Sequence, residues 1–150
     1  MKVSKMAIVT LLCAAAGSAS AQGPSGADQV EAVGAMRSIH TAEAYYATHN
    51  KQEGYACTLD RLSEKDARHP ALLVSALREG KVFHGYVFHV SCPDGQEPAQ
   101  HYAVTAIPQE ETSKAFCSDE GGVIRWTEAA EAAKCSTSGK PLDTLRTSSK

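Results

Sequence analysis

Cysteine and histidine are the side chains most able to do chemistry in this sequence, and their spacing decides which chemistry is open to them. Cys57, Cys92, Cys117 and Cys135 stand 35, 25 and 18 residues apart, with no C-x-x-C among them. Such spacing encodes neither a zinc knuckle nor a thioredoxin-type dithiol. The six histidines invite a metal site, which requires about three ligands converging at about 2 Å. His84 and His89 are five apart in a strand-like stretch, so they face opposite sides. His40 and His49 are nine apart in a helical stretch. That is about two and a half turns, so they diverge as well. No H-x-x-x-H or H-E-x-x-H occurs. Ser, His and Asp are all present, but without G-x-S-x-G or a comparable nucleophile motif. The carboxylate pairs Glu110-Glu111 and Asp119-Glu120 fall in turn-like stretches, where they keep loops solvated. No catalytic, cofactor-binding or metal-binding residue is therefore assigned, and a non-enzyme without cofactors is expected. Tyr46, Tyr86 and Tyr102 lie on apolar faces and are expected in the core, whereas Tyr45 and Tyr55 are less constrained.

The cysteines take their meaning from the compartment. Lys2 and Lys5 precede an apolar run from Met6 to Ala16, and Ala19-Ser20-Ala21 offers an A-x-A cleavage site. Residues 1–21 read as an export signal cut after Ala21. The run is 11 residues long, too short for a span of about 20, so no stable membrane anchor is expected after cleavage. Cys13 lies inside this run behind Thr10-Leu11-Leu12, which puts a bulky Leu where a lipoprotein signal needs a small residue. The whole chain has 15 basic and 17 acidic side chains; losing Lys2 and Lys5 leaves 13 against 17. A mildly acidic chain without a basic run has no electrostatic reason to bind nucleic acid. The expected location is periplasmic or secreted, and the four remaining cysteines read as two disulfides.

The elements that must position these groups follow from periodicity. Gln22-Gly23-Pro24-Ser25-Gly26 begins a flexible leader over 22–27. From Asp28 to His49, Ala32, Ala35, Met36, Ile39, Ala42 and Tyr46 recur at spacings of three and four, which predicts one long helix. Glu31, Arg37 and Glu43 are expected largely off that stripe, and Gly54 in the following turn is free to take positive φ. Thr58 heads a short turn through Leu62, and Ala71 to Leu77 after Pro70 predicts a second helix ending at Gly80. From Val82 the period becomes two. Tyr86, Phe88 and Val90 mark one strand, and Tyr102, Val104 and Ala106 a second. Ala115 to Ser118 and Val123 to Trp126 flank the hairpin loop Asp119-Glu120-Gly121-Gly122. Glu128 to Lys134 has high helix propensity, and 139–150 reads as a polar C-terminal tail. The fold expected is α+β, over 28–138: a long N-terminal helix packed on an antiparallel sheet of about four strands, stapled by disulfides.

In that order the segments resemble a family. Ser38-Ile39-His40-Thr41-Ala42-Glu43-Ala44-Tyr45-Tyr46-Ala47-Thr48 resembles the helix of type IV pilin-like and type II secretion pseudopilin-like proteins. Gly54-Tyr55-Ala56-Cys57-Thr58-Leu59-Asp60-Arg61-Leu62 resembles the loop after it. Gly85 to Val90, Tyr102 to Pro108 and Phe116 to Arg125 resemble the strands that follow. The resemblance covers about residues 36–126. It implies a pilin-like roll, a role in filament or secretion machinery, and no catalytic residues. A pilin precursor also carries a processing Gly followed by Phe, a long apolar helix and a Glu five residues in. Here an export signal ending at Ala21 replaces that half, so the resemblance implies a soluble pilin-like domain.

The function expected is an exported pilin-like domain with a structural or accessory role, working through protein partners such as pilus or secretion components. The alternative is an exported module that binds a peptide or small ligand without filament association. For the disulfides, chain order favours Cys57–Cys92, tying the loop after the helix to the end of the first strand. It likewise favours Cys117–Cys135, pinning the C-terminal segment to the third strand. Cys57–Cys117 with Cys92–Cys135, and Cys57–Cys135 with Cys92–Cys117, remain open alternatives.

Overall fold

The computed structural model describes residues 26–145. The expected signal at 1–21 and most of the leader lie outside the described residues, as does the end of the tail. Helix α1 runs Gly26–His49, 24 residues, and buries Ala32, Val33, Ala35, Met36, Ile39, Ala42, Glu43 and Tyr46. These positions recur every three or four residues and form one continuous face. Asn50 closes the helix, its N–H and its side-chain amide both donating to Tyr46 O, at 2.8 and 3.0 Å. A short helix α2, Leu59–Ser63, follows; its cap is Thr58, whose hydroxyl accepts the Arg61 N–H at 3.4 Å.

The sheet has six strands where about four were expected. They are β1 (Val82–Phe83), β2 (Tyr86–Ser91), β3 (Ala103–Pro108), β4 (Lys114–Asp119), β5 (Arg125–Glu128) and β6 (Lys140–Pro141), hydrogen-bonded in chain order. Every neighbouring pair is antiparallel. The two extra strands are short edges. The stretch from Val82 is a tight hairpin and not one strand: Val82 pairs with Val87 and Phe83 with Tyr86, leaving a two-residue loop. His84 and Gly85 fill that loop with φ of 47° and 74°, the mirror-image turn that matches strand twist. β6 comes from the segment expected as a polar tail. Its pairing with β5, and the Leu142 N–H donated to Ile124 O at 3.0 Å, carry the ordered domain past residue 138.

The helix expected over Ala71–Leu77 is absent. The N–H groups of Leu72 and Leu73 both donate to Leu62 O, at 2.8 and 3.1 Å, instead of running along a helix of their own. Leu73 and Leu77 are buried while Val74 is exposed, so the segment is pinned to the core at two points by its side chains.

The core lies between α1 and one face of the sheet. Phe88, Ala106, Phe116 and Trp126 stand in register across β2 to β5, and all are buried. Tyr86, Met36, Ile39 and Leu59 fill the space around them at zero exposure. Each such large apolar side chain contributes about 1.5–3 kcal/mol. Strand β4 is buried on both faces, with Ala115 and Cys117 pointing away from α1. A 3-10 segment, Ala129–Lys134, and the one-turn helix α3, Cys135–Ser138, pack against β4 and β5. The Cys117–Cys135 disulfide ties α3 to β4. Both disulfides thus have the pairing that chain order favoured. No helix among the described residues is long and apolar enough to cross a membrane.

Candidate functional site

The chemistry-bearing residues gather where the end of α1, the loop after it and the starts of β3 and α2 meet. Glu43 lies four residues after Ile39 and three before Tyr46, so the helical repeat carries it into the core. It is fully buried, a correction to its expected place off the stripe. Glu43 Oε2 accepts the Ala56 N–H at 2.7 Å, and the Cys57 N–H adds to the hydrogen bonding. Its other oxygen, Oε1, is buried without a partner. Burial pushes the carboxyl from its ordinary 4.5 up to about 7, against the pull of the two N–H groups.

His40 sits one turn earlier on α1, with Nδ1 2.5 Å from the Tyr102 hydroxyl. Burial holds the imidazole pKa below its usual value, and the Asp119 carboxylate opposes that. In the neutral ring Nδ1 accepts the Tyr102 O–H, which leaves the proton on Nε2. Nε2 is buried and has no partner either. The Tyr102 hydroxyl is pushed well above its usual range, by burial first and then by Glu43 and the Tyr55 hydroxyl. The rings of Tyr55 and Tyr102 meet at 4.6 Å, tilted by 59°.

A polar clamp outside this cluster fixes the loop. Glu53 accepts the Tyr46 hydroxyl at 2.7 Å and pairs with Arg61 at 2.9 Å and Arg68 at 2.6 Å. The Tyr46 bond, then Arg68, hold the Glu53 carboxyl below the usual range; burial and that same bond push the Tyr46 phenol to about 12. Gly54, φ 75°, bridges to Ala99, and a Cβ there would lie 2.1 Å from Ala99 O. Only glycine fits so close an approach. Beside the clamp an open cleft of about 630 Å³ is lined by Glu53, Tyr55, Cys57, Arg61, Cys92 and Gln96.

The cysteines themselves form two different environments. Cys57–Cys92 is partly exposed and lines the cleft, with Cys57 at φ 63°. Cys117 and Cys135 are 3% and 2% exposed. The remaining histidines are dispersed over the surface and the loops. His84 faces Asp28 at 3.6 Å, His69 faces Asp66 at 3.4 Å, and His89 pairs with Glu79. His101 bonds Glu120 at 2.5 Å and faces Asp94 at 3.8 Å, which raises its pKa, the Glu120 bond most. His49 stacks on Tyr45 at 3.9 Å. Among the described residues no three His, Cys, Asp or Glu side chains converge as metal ligands would.

Tyr46, Tyr86 and Tyr102 are core residues, as their stripe positions predicted, and Tyr45 is 39% exposed. The sequence reading missed Glu43 and the His40–Tyr102 pair. Spacing along the stripe carried a signal for Glu43; nothing in the sequence joined His40 to a tyrosine 62 residues away. At its other end, α1 presents Val30, 70% exposed, beside a groove of about 310 Å³ lined by Val30, Val33, Arg37, Phe116 and Leu142. Comparison with protein families, with curated proteins and with solved structures gives no significant match to this chain.

Proposed function

We propose that this chain is an exported pilin-like domain that works through protein–protein contacts, structurally or as an accessory, near a pilus or type II secretion apparatus. One observation carries the reading: α1, a loop stapled by a disulfide and an antiparallel sheet follow one another in chain order, the arrangement that the resemblance over 36–126 implies. The start of α1 supplies the contact surface. Val30 stands out from the helix there, and the adjoining groove sets Val33, Phe116 and Leu142 between the polar side chains of Gln29 and Arg37, so an amphipathic helical segment of a pilin-like subunit suits it. The polar groups enclosed at the other end act structurally, with Glu43 holding the Ala56–Cys57 backbone and Glu53 gathering two arginines.

The cleft beside Cys57–Cys92 favours a second reading, an exported module for a peptide or small ligand. Its wall mixes the Tyr55 ring with the charges of Glu53 and Arg61, as ligand clefts often do. Cross-linked co-purification of the exported protein separates the two. Recovery of pilus or secretion-apparatus subunits is expected; their absence, with a small molecule or peptide retained instead, overturns the first reading in favour of the second.

A further inference from the structure

We propose that Cys57–Cys92 is a site of reversible thiol–disulfide exchange with a dithiol protein, acting on the folded domain, while Cys117–Cys135 is a permanent staple. The inference is independent of the pilin-like reading and rests on three features of the Cys57–Cys92 surroundings.

The first is access. Exchange requires an incoming thiolate to reach a sulfur along the bond axis. Cys57 and Cys92 both line the open cleft of about 630 Å³, whereas the other bridge lies between β4 and α3 at 3% and 2% exposure. The second is what breaking the bond would release. Cys57 is a non-glycine residue held at φ 63°, a conformation that costs about 1 kcal/mol or more for a side chain with a Cβ. The bridge is one of several constraints on that backbone, so opening it removes a constraint from a strained position. The third is that the loop stays anchored without the bridge. The Ala56 N–H on Glu43, the Gly54–Ala99 bridge and the α2 cap at Thr58 all hold the segment from other directions. The domain therefore survives reduction of this bond, and the change is confined to the cleft wall.

The exchange balances as two displacements. A thiolate of the dithiol attacks Cys92 Sγ, the S–S bond breaks, and Cys57 leaves as a thiolate carrying the electron pair. The second thiolate of the dithiol then attacks its own partner sulfur in the mixed disulfide and releases Cys92. Two protons given up by the dithiol end on Cys57 and Cys92. The bridge is reduced by two electrons, and the partner becomes a disulfide. Running the steps backward restores the bridge.

The test uses the full exported chain without denaturant. It is treated with graded dithiothreitol, thiols are trapped with N-ethylmaleimide at timed intervals, and the labelled cysteines are mapped. Cys57 and Cys92 are expected to label together, roughly tenfold or more faster than Cys117 and Cys135, with far-UV circular dichroism unchanged. Equal rates, earlier labelling of Cys117 and Cys135, or loss of the dichroism signal in step with Cys57 labelling would overturn the proposal. As a second readout, a thioredoxin variant lacking its resolving cysteine is expected to be trapped on Cys92. An adduct on Cys117 or Cys135, or none at all, contradicts it.

Discussion

Glu43 shows how one buried carboxyl sets the acid–base behaviour of the domain. Its folded pKa, about 7, is raised above the ordinary 4.5, so the fold prefers the protonated form. The stability it contributes is complete below about 4.5 and is lost as pH rises through about 7, on the order of 3 kcal/mol. His40 works in the opposite sense. Its pKa is lowered by burial, so its contribution is complete above 6.5 and is lost as pH falls through the lowered value. Stability is therefore expected to peak at mildly acidic pH. Glu43→Gln keeps an acceptor for the Ala56 N–H without an ionising group. Denaturant midpoints taken from about pH 6.5 to 8, above the range where His40 contributes a slope, should fall with pH in the parent and flatten in the variant, which should gain on the order of 1–3 kcal/mol at the upper end. An unchanged slope would show that Glu43 does not titrate in that range. Tyr102→Phe removes the hydrogen bond to His40 Nδ1, and should cost about 1–2 kcal/mol in urea denaturation. At this scale the sequence was legible where spacing decides burial and illegible where a polar pair is made across 62 residues. Glu43 was misjudged because residue type was weighed above position.

At the scale of elements, α1 and the four longer strands were legible, since a stripe of period 3.6 or 2 shows wherever one face is buried. The edges were not. β1 and β6 are two residues each, too short to carry a period, and the His84-Gly85 turn lacks the Asn or Asp that announces a mirror-image hairpin. Ala71–Leu77 has helix-forming composition, but its backbone is drawn to Leu62 O, a tertiary contact that local propensity does not contain. Two substitutions test the elements. Phe116→Ala empties the site opposite Trp126 and Ala106 in the middle of the sheet and should cost about 3–5 kcal/mol. Gly54→Ala forces a Cβ against Ala99 O at a positive φ and should cost about 2 kcal/mol or more, read by thermal denaturation. A Gly54→Ala midpoint equal to the parent's would mean that the loop shifts freely and does not hold the cleft wall.

Across the whole molecule, two disulfides stand in for core that a small domain lacks. The loops they close span 35 and 18 residues. In the chain-entropy model these are worth about 4 and about 3 kcal/mol, large beside the roughly 5–15 kcal/mol of a typical domain. Replacing Cys117 and Cys135 together with Ala should lower the unfolding free energy by about 3 kcal/mol in guanidinium titration. The pairing was legible from chain order because each bridge joins cysteines consecutive in the four described. What the domain contacts was not legible in the same way, since a contact surface has no period. The most direct test of the pilin-like reading places a photo-cross-linking residue at Val30 and, as a control, at Glu111 in the exposed turn between β3 and β4, in cells that express the protein. A covalent adduct with a pilus or secretion-apparatus subunit is expected from Val30 and not from Glu111. No such adduct from Val30, or equal yields from both positions, would contradict it.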